Sequence, residues 1–201
     1  MSLIRKLMGK PWENPGQVEE QDGEMLALPD KKVALWIFIA VMASVFGLFT
    51  VAYNMRIELA TDWVSIPKPG ILWLNTALLI LASIAFERAK YAAHHKRPAA
   101  IRYALLTGGL LTLGFLYGQT LAWQELQASG YFLNGNASNS FFYLLTGLHG
   151  LHLVAGLWVW ARTTLRVWRG FEVTLSVELC TTYWHALLLI WVVLFGLLLS
   201  T

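Results

Sequence analysis

The sequence predicts an all-α fold, a polytopic membrane bundle of five transmembrane helices with its N-terminus cytoplasmic and its C-terminus outside. Three observations predict it. Hydrophobic residues make up 57% of the 201 positions and charged ones only 13%, whereas a soluble domain carries more charge and less apolar content. The apolar residues stand in five blocks, each long enough to span a bilayer. The basic residues gather in alternate connections between those blocks, which is the signature of a fixed orientation.

The blocks run from Val33 to Met55, Ile71 to Ala89, Ile101 to Trp123, Phe141 to Thr163 and Val177 to Leu199. Each holds roughly 19 to 23 residues, and at about 1.5 Å of rise per residue that length crosses the hydrocarbon core as a helix. Lipid offers the backbone no hydrogen-bond partners, so a helix is the default spanning form. The period-2 alternation of a barrel strand is missing. The first 32 residues are mixed polar and are expected to form a cytoplasmic segment, with residues 33–201 as the transmembrane domain. Pro11, Pro15, Gly16 and Pro29 argue against one long helix there, and no cleavable signal peptide is expected.

Every Lys and Arg except Arg56 and Lys68 lies in the N-terminal segment, around the second connection (Arg88, Lys90, Lys96, Arg97, Arg102) or after block four (Arg162, Arg166, Arg169). The positive-inside rule therefore sets the orientation. It also explains a pI near 9.1 without nucleic acid as a partner. Trp36, Tyr53, Trp73, Trp123 and Trp168 stand near block ends, where interfacial anchors are expected. Cys180 is the single cysteine, so neither an intrachain disulfide nor a cysteine metal cage forms. Asn136-Ala137-Ser138 matches a glycosylation sequon of little weight. No internal repeat suggests an inverted-repeat transporter.

Ionisable groups inside a membrane helix are functional candidates by default. His149 and His152 stand three apart in GLHGLHLVAG, about 60° from each other around a helix, so both can face one neighbour. They suit metal or haem ligation, or hydrogen bonds to an adjacent helix. A metal needs three or four ligands, and the Glu-x-x-His repeats of a di-iron bundle are missing, so the structural reading leads. Glu178 and His185 share a face two turns apart, about 10 Å, and must each reach another helix. The histidine pair of block four is the expected partner, giving a polar clasp of His149, His152, Glu178 and His185. Glu87, beside Arg88 and Lys90, reads as an interfacial residue, as does Glu125. Gly114, Gly118, Gly147, Gly150 and Gly156 are expected to let helices approach closely. No P-loop, dinucleotide fingerprint or catalytic triad order occurs. A bundle with buried polar ties and no reaction centre reads as a subunit of something larger.

FFYLLTGLHGLHLVAG, Phe141 to Gly156, resembles the signature of subunit III of the haem-copper oxidases. The last block is similar too, with Glu178 ahead of Tyr183-Trp184-His185 and Trp191 beyond. Leu74-Asn75-Thr76 resembles that family's LNT segment, Leu35 to Tyr53 its first shared helix, and Gly114 to Trp123 its Gly-Gln-to-Trp helix. The likeness covers all five blocks in order and matches the short, five-helix bacterial form. The resemblance marks Asn75, Thr76, Gly147, Gly150, Tyr183, Trp184 and Trp191 as family-motif residues.

That resemblance implies a non-catalytic chain within an enzyme complex, a cytochrome c oxidase of the bacterial inner membrane. It implies no catalytic or metal residue here. Haem and copper sit in partner subunits I and II, and the chain packs mainly on subunit I, which reduces O2 and pumps protons. Phospholipid binding, support of proton uptake and membership of a larger respiratory supercomplex are implied as well. The family's buried acids are replaced here by Met42, Ala122 and Leu188, so a proton-buffering role carried by the first of them does not transfer. Subunit III of a quinol oxidase, or a nitric oxide reductase accessory subunit, is the alternative within the family. An independent membrane haem or metal enzyme and a small transporter are the alternatives outside it.

Overall fold

A computed structural model describes residues 30–59, 67 and 69–200. The proline-rich stretch ahead of Asp30, with Arg5, Lys6 and Lys10, lies outside the described residues, as does Lys68. The described elements are all helices: α1 is Asp30–Leu59, α2 Ile71–His94, α3 Pro98–Ala128, α4 Ala137–Trp168 and α5 Thr174–Leu199. All five are long and apolar enough to cross a membrane. They continue past the apolar blocks because polar residues at helix ends keep helical geometry while reaching the headgroup region. The sequence signal there is hydropathy, which fades before the helix does.

Local chemistry sets the ends. Asp30 places a carboxylate in the first turn of α1, where the helix dipole favours it. Pro98 opens α3 in a position where its missing N–H costs nothing. Asn136 caps α4, its side chain accepting from Ser138 N at 3.4 Å. The sequon asparagine thus serves as a helix cap. The helices α3 and α4 both close on a left-handed glycine, Gly130 at φ 86° and Gly170 at φ 78°. In each, the next residue's N–H reaches back to the last turn, Tyr131 to Leu126 O and Phe171 to Arg166 O. The α2 end closes in the same way, Arg97 N to Ala92 O, but its left-handed residue is Lys96 at φ 50°.

The chain divides into two compact units, Met1–Ile37 and Phe38–Thr201. Of the first, only Asp30–Ile37 in the opening turns of α1 is described. Within the second, α2 packs on α3 and α5, and α4 packs on the same two helices. The four form a closed ring, α2–α3–α4–α5. From Phe38 onward the α1 backbone stands off, with no described Cα within 8 Å of a Cα in another helix. It reaches the ring through large side chains. Its buried residues are Met42, Phe46 and Tyr53. Tyr53 is 2% exposed and meets Phe141 edge-on at 5.5 Å. That corrects its reading as an interfacial anchor: position near a block end does not tell which face a ring takes. Trp36, Trp73 and Trp168 do lie outward, at 60%, 62% and 58% exposure.

Apolar side chains gain little by leaving lipid for a helix interface, so packing and interhelical hydrogen bonds hold such a bundle. Tryptophan–threonine ties do much of this. Trp184 Nε1 donates to Thr112 Oγ1 at 3.0 Å, Trp191 Nε1 to Thr76 Oγ1 at 3.0 Å and Trp123 Nε1 to Thr146 Oγ1 at 3.1 Å. Trp184 and Trp191 are fully buried. Each therefore fills volume with its ring and satisfies its one polar atom on a different helix.

Candidate functional site

The polar side chains singled out in the sequence fall into two places. The first is the seam between α2 and α5, which run antiparallel. His185 Nε2 donates to Glu87 Oε2 at 3.0 Å, and its Nδ1 faces the Ser83 hydroxyl. With the proton on Nε2, Nδ1 is left to accept from Ser83. Farther along, His94 Nε2 meets Glu178 Oε1 at 3.0 Å. Glu87 also pairs with Lys90 at 2.7 Å. Between them, Thr181 Oγ1 donates to Phe86 O at 3.0 Å.

The partners of Glu178 and His185 thus sit on α2, and the expectation that they join the α4 histidines is corrected. The physical reason is register. Antiparallel helices bring a Glu–His spacing of seven on one opposite a Glu–His spacing of seven on the other, crosswise. Glu87 to His94 has that spacing, and so has Glu178 to His185. That shared interval was the signal in the sequence for Glu87 and His94, and it makes Glu87 a member of the seam as well as the partner of Lys90.

The second place is the α4 face toward α1, α3 and α5. His149 is fully buried among rings: Trp191 at 5.2 Å, Phe115 at 5.8 Å and Phe46 at 6.4 Å. Neither of its ring nitrogens has a hydrogen-bond partner. His152 spends its Nδ1 on Leu148 O of its own helix at 2.8 Å, and its ring lies 5.6 Å from Phe46. The link from His152 to α5 runs through the backbone, where its carbonyl accepts from the Tyr183 hydroxyl at 2.9 Å. Among the described residues no three His, Cys, Asp or Glu side chains converge as metal ligands do.

The family-motif residues supply packing between these places. Asn75 is fully buried, its Nδ2 donating to Gln119 Oε1 on α3 at 3.3 Å. Gly118 is what lets it in, since a Cβ there would lie 2.0 Å from Asn75 Oδ1. A Cβ on Gly156 would lie 2.7 Å from the Tyr183 ring and 3.1 Å from Trp184. At Gly114, Gly147 and Gly150 a Cβ would make ordinary contacts of 3.6, 3.7 and 3.8 Å, so close approach is not their role. Sequence alone cannot separate a glycine under a side chain from one beside it. Met42 and Ala122, which stand where the resemblance places acids, are buried, and Leu188 is half-buried.

The arrangement ties helices together, and its hydroxyl–imidazole–carboxylate line, Ser83–His185–Glu87, joins α2 to α5. Its family follows from comparison. The family model for cytochrome c oxidase subunit III matches residues 33–199. This chain belongs to the cytochrome c oxidase subunit III family, a class of membrane helical subunits. A probable cytochrome c oxidase subunit 3 of Mycobacterium bovis is 28% identical over 156 residues, covering 74% of this chain and 76% of the relative. A cytochrome c oxidase subunit 3 of Thermostichus vulcanus is 27% identical, covering 91% of this chain and 96% of the relative. A heme-copper oxidase subunit I+III of Aeropyrum pernix is 24% identical over 92% of this chain, which spans 24% of that protein.

Proposed function

We propose that this chain is the non-catalytic subunit III of a bacterial proton-pumping terminal oxidase, one that takes electrons from cytochrome c and reduces O2 to water. The observation that carries the reading is the family match over residues 33–199. The chain sits in the bacterial plasma membrane with its N-terminus inside. The basic residues of the α2–α3 and α4–α5 connections support that orientation. Subunit I is its main contact. The relative that joins subunits I and III in one name supports this. Subunit II completes the complex, and haem and copper reside in I and II. The chain stabilises subunit I, holds phospholipid and supports proton uptake, without the buried acids that Met42, Ala122 and Leu188 replace.

The α2–α5 seam is the polar clasp of this subunit, with Glu178 and His185 as its α5 half and Glu87 and His94 as its α2 half. His149 and His152 serve as packing residues, the first within a cage of aromatic rings.

The test is an affinity pull-down of the tagged chain from native membranes in mild detergent, with a reduced-minus-oxidised spectrum of the eluate. Co-elution of a haem-copper catalytic subunit is the expected result. A chain that elutes alone with its own haem or metal would overturn the reading.

A further inference from the structure

From Phe38 onward α1 is held differently from the other helices. Its apolar span is 11% buried, against 33–50% for the spans of α2 to α5. Those four are tied by the tryptophan–threonine hydrogen bonds and by the α2–α5 seam. On α1 the donors of Ser44, Thr50 and Asn54 go to carbonyls of α1 itself, at 2.8, 2.9 and 2.8 Å. A row of aromatic contacts bridges α1 to the ring of α2 to α5. Phe38 meets Tyr183 at 6.0 Å, Phe46 meets His152 at 5.6 Å and His149 at 6.4 Å, and Tyr53 meets Phe141 at 5.5 Å. Lipid tails are as apolar as these rings, so such contacts hold weakly in a membrane.

The space beneath α1 points the same way. A groove of about 220 Å³ separates it from α5, between Ala43 and Gly47 on one side and Ile190 and Leu194 on the other. A Cβ on Gly47 would touch nothing within 4 Å. Well-packed elements leave few gaps of that size. Met42 and Phe46 are the buried residues of the central turns, and the Phe46 ring lies over both imidazoles of α4.

We propose that α1 is a strap that lifts from α4 and α5 while the ring of α2 to α5 stays closed, with Phe46 as its latch. Lifting uncovers His149, the fully buried imidazole whose two nitrogens have no partner, and so gates the access of small polar molecules to it. The strap is a property of the chain's own packing and does not rest on the subunit reading. A failed pull-down leaves it standing.

The test is double electron–electron resonance on the full chain in lipid nanodiscs, with nitroxide labels at exposed positions. Leu48→Cys on α1 with Leu110→Cys on α3 reads the strap, and Leu110→Cys with Val192→Cys on α5 reads the ring. All three positions are exposed, and the native Cys180 is buried. The strap pair shows a second population, longer by about 5 Å or more, half the spacing of packed helices. The ring pair shows one. Phe46→Ala raises the lifted fraction about fivefold, the factor one ring contact carries, and leaves the ring pair unchanged. On the unlabelled chain it also raises carbethoxylation of His149 by diethyl pyrocarbonate. A single strap distance that Phe46→Ala does not move would overturn the proposal, and if that variant fails to fold, a single strap distance in the otherwise unsubstituted chain does so. Broadening of both pairs alike by Phe46→Ala would overturn it too, because α1 would then open with the ring and not from it. A His149 no more reactive in Phe46→Ala than in the wild type would show that the imidazole does not lie behind the strap.

Discussion

His185 meets Glu87 across the α2–α5 seam at 3.0 Å, and about two turns along the seam His94 and Glu178 repeat the contact with the two residue types exchanged between the helices. The pairs are part-exposed, with 45% and 48% of the first pair's side chains open. Each therefore contributes modestly to stability, about 0.5–1 kcal/mol. Their value is geometric: a one-residue slip of α5 against α2 would lose both at once. His185→Ala is expected to lower the thermal midpoint of the purified chain by a few degrees. Adding Glu87→Gln should then cost less than Glu87→Gln does alone, the remainder being its pair with Lys90. Additive losses in that double-mutant cycle would refute the pairing.

The two classes of glycine separate cleanly. Gly118→Ala drives a methyl into Asn75 and should destabilise the bundle by about 1–3 kcal/mol, the usual range for overpacking. Gly147→Ala and Gly150→Ala meet only ordinary contacts, and they should be neutral or slightly stabilising through helix propensity. Denaturant titration followed by circular dichroism compares the three. Equal losses at all three positions would contradict the packing described.

Trp191→Phe keeps the ring against His149 and Phe115 but removes the donor to Thr76. A loss of about 1 kcal/mol is expected. In a Thr76→Val background the same change should cost less than half as much. Unfolding titrations of the four proteins decide it.

His149 holds two buried nitrogens without partners, and unmade hydrogen bonds of this kind cost about 1–3 kcal/mol. Replacing the ring by an apolar one of similar size removes the cost. His149→Phe should leave the thermal midpoint unchanged or raise it. A fall beyond about 2 kcal/mol would show that the imidazole grips something.

Lys96 takes a left-handed conformation, for which a side chain costs about 1–2 kcal/mol relative to glycine. Lys96→Gly should recover about 1 kcal/mol, read as a raised midpoint, without disturbing Pro98 as the start of α3. No gain would mean that the turn is held by contacts of the lysine itself.

The five helices were legible in the sequence because lipid imposes one rule on every span, a long apolar run. The resemblance placed the family on GLHGLHLVAG and the Glu178–Trp191 stretch, and the comparison agrees. What hydropathy could not convey was sidedness around each helix. The partners of His185 depend on the register of α5 against α2, and that register is set by Trp191 on Thr76 and Thr181 on Phe86 as much as by charge. Tyr53 and Trp36 look alike in sequence near the ends of one block, yet one is buried and the other open. Glu87 reads beside Arg88 and Lys90 without its histidine, which lies 98 positions away.

That separation has a consequence for how the protein is made. The ring closes through α2 and α5, and its ties span most of the chain: Ser83 to His185 is 102 positions and Thr76 to Trp191 is 115. A ribosome delivers α2 into the bilayer long before α5 exists. Until then the α2 face with Ser83, Glu87 and His94 has none of its α5 partners. Any truncation ahead of Thr174 strands it there.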